Sequence, residues 1–124
     1  AASDVYKRQI NRLIQGVYSI AMFMIESGIP QAYIWYDKVN GVIQEYSVEQ
    51  EEELYWMFQE LFRSKTTTEE SELMEAYVDW GKGRLLESAL YLTVADHESL
   101  DSGNLVRDRL EVMDLRGDVI EDQE

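Results

Sequence analysis

Carboxylates are the side chains here with the most chemical potential. Glu69, Glu70, Glu72 and Glu75 open one helical segment, and Glu87 follows on the next. Oxygen donors grouped in this way suit hard divalent cations such as magnesium or manganese. His97, the single imidazole, stands between Asp96 and Glu98, where a carboxylate could support a general base. Adjacent side chains point apart on a helix or strand, so Asp96 to Ser99 forms no triad by itself, and no nucleophile elbow accompanies it. Gly81-Lys82-Gly83-Arg84 is a small basic turn without the strand, glycine loop and Lys-Ser/Thr order of a phosphate-binding loop. Arg116-Gly117-Asp118 reads as a turn. The absence of cysteine excludes disulfides, thiolate catalysis and cysteine-based metal centres.

The glutamate-rich helix start, followed by Glu87, resembles the all-helical MazG-type nucleotide pyrophosphatases, which add a later Glu-x-x-Asp. The resemblance implies a metal-dependent nucleotide hydrolase using Glu69, Glu70, Glu72, Glu75 and Glu87. Leu90 stands where that pattern has its aspartate, so half of such a metal site is missing. Capping and solubility account for these glutamates more simply. The expectation is therefore a non-enzyme with no catalytic residue, no metal ligand and no cofactor.

A second pattern lies earlier in the chain. Glu49, Glu53 and Glu60 recur at helical spacing on the side away from an apolar arc of Leu54, Tyr55, Met57, Phe58, Leu61 and Phe62, with Glu52 at its edge and Trp56 among them. A tryptophan among carboxylates is either covered by another segment or serves as an anchor ringed by steering charges. The five residues of the acidic face are the expected partner-binding site.

Charge gives this pattern its meaning. The chain of 124 residues has 25 acids and 11 bases, a formal charge of −14. Residues 45–75 hold ten acids and two bases, and residues 96–124 hold ten acids and three bases, while the segments between are neutral. A general nucleic-acid surface is excluded, because phosphate binding needs positive charge. A dense negative surface can instead imitate a phosphate backbone. In size and charge the chain resembles the phage and mobile-element inhibitors of host defence, such as anti-CRISPR and anti-restriction proteins. That resemblance implies a small acidic protein that binds and blocks a basic, nucleic-acid-handling partner in the cytoplasm, with no direct nucleic-acid or membrane binding. A structural or homo-oligomeric accessory protein is the remaining alternative.

These surfaces need elements to position them. Residues 1–9 read as a translated sequencing-adapter scar, which places the first natural residue near Ile10 and the native start upstream. Leaving out Asp4, Lys7 and Arg8 makes the charge −15. Residues 10–120 are expected to form one domain, with 121–124 a solvated tail. The spacing predicts a largely apolar core helix from Ile10 to Glu26, ending at Gly28 before Pro30. Asn40-Gly41 predicts a hairpin with a two-residue loop, pairing Val39 with Val42 and Trp35 with Tyr46. Tyr33, Trp35, Val42 and Tyr46 then share one face, and Ile34, Tyr36 and Ile43 the other. Ser47 and Gln50 read as a capping box opening the next helix, and Thr67 and Glu70 as another. Leu73 to Trp80 and Leu85 to Thr93 read as helical stripes broken at the glycines. Residues 104–120 suit either a helix or a late hairpin. The expected fold is α+β and mainly helical: an N-terminal core helix, an antiparallel hairpin and two to three further helices.

Overall fold

The computed structural model describes residues 2–65, 70–94, 103 and 105–116. Along the chain these form α1 (Ala2–Glu26), β1 (Gln31–Asp37), β2 (Val42–Val48), α2 (Glu51–Arg63), α3 (Glu70–Gly81), β3 (Leu86–Thr93) and β4 (Val106–Asp114). The class is α+β, with three described helices and two small sheets. No helix among the described residues is long and apolar enough to cross a membrane.

Helix α1 runs through residues 2–9 without interruption, and its packing on the core begins at Leu13. It stops where the sequence predicts. The Ile29 amide donates to the Met24 carbonyl at 2.9 Å and the Gly28 amide to the Ile25 carbonyl at 3.1 Å, with Gly28 at φ +68°. This paired closure needs a left-handed residue, which glycine adopts without steric cost.

The hairpin forms, but in a different register. Asp37 pairs with Val42, Trp35 with Gln44 and Tyr33 with Tyr46, so the loop holds four residues rather than two. The Asp37 side chain explains the change. Only 1% exposed, it accepts the Val39 and Asn40 amides at 2.9 and 3.2 Å, Asn40 Nδ2 at 2.9 Å and Gln44 Nε2 at 3.1 Å. These bonds favour the ionised form and hold the carboxyl below its usual pKa, although burial opposes them. Each pairing shifts by two residues, an even number, so the predicted faces survive.

One face packs Tyr33, Trp35 and Tyr46 on a core of Val17, Ala21, Val48, Leu54 and Met57, supplied by α1, β2 and α2. The other face meets α3. The hairpin is thus covered on both sides, while α1 contacts both α2 and β3. Tyr18 and Phe23 of α1 remain largely exposed, Tyr18 although its ring stacks on Phe58 of α2.

Two further expectations are corrected. The capping residues move from Ser47 and Gln50 to Gln50 and Glu53, and α2 starts at Glu51. Val48 is fully buried and paired with Gln31, so Ser47 and Val48 remain in the strand. The segment from Leu86 to Thr93 is a strand, not a helix, and lies parallel to β4. Parallel strands need a crossover of about a dozen residues, and the sequence leaves that length between Thr93 and Val106. The glycines do break the helical stripe: α3 ends at Gly81, and Lys82 and Gly83 have φ of +52° and +86°. The proposed late hairpin lies partly outside the described residues, and its described part is β4.

Candidate functional site

Helix α2 is amphipathic, but its apolar arc is wider than the core needs. Leu54 is 2% exposed and Met57 is equally buried, because both point toward β2 and α1. Tyr55 and Phe62 lie on the same apolar arc yet remain 62% and 61% exposed. Trp56, on the opposite flank, is 52% exposed. Neither the hairpin nor β4 covers it, so the covering segment considered from sequence is not found among the described residues.

The five predicted partner-binding residues divide by what their side chains already do. The Glu53 carboxylate accepts the Glu49 amide at 2.8 Å and the Gln50 amide at 3.1 Å, which commits it to starting the helix. Glu60 accepts Arg63 Nη1 at 2.8 Å, on the side toward Tyr46. Glu49, Glu52 and Trp56 are exposed. Glu52 and Trp56 are four residues apart on α2, so their side chains are neighbours on one stripe, while Glu49 precedes the extended N-cap Gln50 and lies just outside the helix. The outward-facing part of the predicted site is therefore this trio, with Glu60 held at its lower edge by an ion pair.

A clamp fixes the far end of α2 against the hairpin. Trp35 Nε1 donates to Ser64 Oγ at 3.0 Å, and that hydroxyl donates to the Glu60 carbonyl at 2.8 Å. The Trp35 ring stacks on Tyr46 at 5.5 Å between centroids. The Lys38 amide also donates to the Lys65 carbonyl at 3.0 Å, joining the hairpin loop to the segment after α2. The acidic stripe thus stands on a helix whose far end is tied to the hairpin.

Sequence reasoning missed a second feature beside this stripe. An open groove of about 760 Å³ runs between α1 and α2, with Ile14 and Tyr18 on one wall and Tyr55, Phe58 and Phe62 on the other. The Tyr18 and Phe58 rings stack at 6.4 Å, and Phe58 and Phe62 at 5.8 Å. The signal was present in the apolar arc, which covers more of α2 than one contact face requires. Which half of the arc would be buried depends on where α1 lies.

The residues of the carboxylate–metal reading are dispersed or already engaged. Glu72 pairs with Lys38 at 3.5 Å, Glu75 faces solvent, and Glu87 lies on a strand rather than a following helix. Glu69 and the Glu70 side chain lie outside the described residues, as does His97. Among the described residues no group of three or more potential ligands could hold a metal ion. In the basic turn, Arg84 binds Glu45 at 3.0 Å and lies 5.1 Å over the Trp80 ring. That places the guanidinium in a structural contact with an acidic neighbour. Arg116 is likewise engaged, with Asp114 at 2.7 Å, while Gly117 and Asp118 lie outside the described residues.

No protein family, no curated protein and no solved structure matches this chain. Its own geometry must carry the functional argument.

Proposed function

We propose that this is a small acidic interaction protein that binds and blocks a basic, nucleic-acid-handling partner through the outer face of α2. The observation that supports this reading is the half-exposed Trp56 beside the exposed Glu52, with Glu49 exposed just before the helix. A large aromatic ring in water gains by burial against a partner, and the carboxylates around it select a positive one. The formal charge of −14 steers such a partner from a distance.

The test uses a panel of purified basic DNA- and RNA-binding proteins in about 150 mM salt, where surface charge is screened beyond about 8 Å. The expected result is a complex that duplex DNA competes away. Glu49→Lys with Glu52→Lys should weaken it about a hundredfold, and Trp56→Ala about tenfold, or about 1.4 kcal/mol. A complex indifferent to all three replacements would sink the proposal.

A further inference from the structure

The partner's contact segment can be specified by what the groove beside the acidic stripe would accept. Ile14 and Tyr18 form a row four residues apart on α1, and Tyr55, Phe58 and Phe62 form a row on α2. The eight residues from Tyr55 to Phe62 span about 10 Å, two helical turns. Two such rows accept the ridge of a third helix, with apolar side chains at i, i+3 or i+4, and i+7.

Charge chooses among the occupants. Gln15, Ser19 and Gln59 complete the groove lining, so its walls carry no charge. Glu51 and Glu52, both exposed, precede Tyr55 by four and three residues and therefore sit beside it on the helix surface. A second copy of this chain would bring the same glutamates and another formal charge of −14. The chain segments outside the described residues contain no lysine or arginine, and 95–102 and 117–124 are acidic. A segment that satisfies both the apolar rows and the acidic end must combine a hydrophobic face with basic flanks.

We infer that the α1–α2 groove receives an amphipathic basic helix from the partner, its apolar face between Tyr18 and Phe62 and its lysines or arginines over Glu51 and Glu52. This rests on the reading that the partner is basic. It adds a shape requirement that charge alone does not impose.

Calorimetry with the full chain tests it, using three synthetic peptides of about 18 residues, five turns of helix. One is a leucine–lysine peptide with leucines on a single helical face. The second has the same composition with the leucines distributed around the helix, and the third replaces lysine by glutamate. The expected result is saturable one-to-one binding of the first, with the second and third weaker by about tenfold or more. Tyr55→Ser with Phe62→Ser should weaken the first by a similar factor and leave the circular dichroism spectrum unchanged.

Equal binding of the ordered and scrambled lysine peptides would overturn the groove while leaving the acidic stripe standing. Equal binding of the lysine and glutamate peptides would overturn both readings, because charge would then select nothing. If no peptide binds, the inference fails, and charge reversal at Glu49 and Glu52 still tests the broader proposal. A dimer in sedimentation that Phe62→Ser dissociates would identify a second copy as the occupant and overturn the inference.

Discussion

Replacing Leu54, Tyr55 and Trp56 by alanine one at a time turns the orientation of α2 into a measurable contrast. Leu54 is 2% exposed and packs among Val17, Ala21, Val48 and Met57, so truncation leaves a cavity. A cost of about 3 kcal/mol is expected for such a buried leucine. Tyr55 and Trp56 are 62% and 52% exposed, so much of each ring already lies in water. The partial packing they lose is offset by alanine's better helix propensity, about 0.5 kcal/mol, which leaves a cost of about 1 kcal/mol. Were Trp56 covered by another segment, its loss would cost about 3 to 5 kcal/mol. Domains of this size lose about 4 °C in Tm for each kcal/mol. The expected drops are therefore about 12 °C for Leu54→Ala and about 4 °C for each aromatic replacement. Thermal and urea unfolding followed by far-ultraviolet circular dichroism would measure them. A Trp56→Ala variant destabilised as much as Leu54→Ala would refute the outward placement, and with it the interaction surface.

Two further expectations concern pH. Asp37 is held below its ordinary pKa of 3.8 by the Asn40 and Gln44 side chains and the loop amides. A depressed carboxyl contributes stability above its unfolded pKa, and that contribution is lost as pH falls through the folded one. Urea midpoints at neutral pH and below 3.8 should therefore differ more for the wild type than for Asp37→Asn; equal differences would remove Asp37 from the acid response. At the alkaline end, burial pushes Tyr33 from 10.0 up to about 12, and its hydroxyl donates to Gln31 Oε1. A folded pKa above the unfolded one contributes stability that is complete below pH 10.0 and is lost as pH rises toward about 12. Spectrophotometric titration should find a tyrosine that ionises late in this window and disappears in Tyr33→Phe. The same late fraction in the variant would assign it elsewhere.

The hairpin shows which kind of information is local. Its faces were legible because strand periodicity of two is a property of the residues themselves, and a shift of two preserves it. Its register was not, because Asn40-Gly41 alone predicts a two-residue loop, whereas the Asp37 carboxylate closes a loop of four residues. The helix start after the hairpin failed for a related reason. Ser47 has good capping chemistry, but burying Val48 against the core keeps both residues in β2. The spacing of Leu86, Ala89 and Leu90 fits a helix, yet β4 supplies a strand partner from residues 106–114, and pairing outweighs a local preference.

The sequence by itself determined the acidic stripe of α2. Glu52, Glu53, Trp56 and Glu60 share a side because the helical repeat places them there, whatever surrounds the helix, whereas Glu49, expected on the same face, falls before the helix start. It also determined the long-range field, since the charge total and its two acidic blocks need no fold. Tertiary structure decided which of those groups remain for a partner: Glu53 is taken by the helix start and Glu60 by Arg63, while Trp56 stays in water. It alone produced the aromatic groove, because Tyr18 and Phe58 are forty residues apart and meet only when α1 and α2 pack against the same hairpin face. Periodicity assigns a side chain to a face of its own element; which part of that face is covered depends on elements distant in the chain.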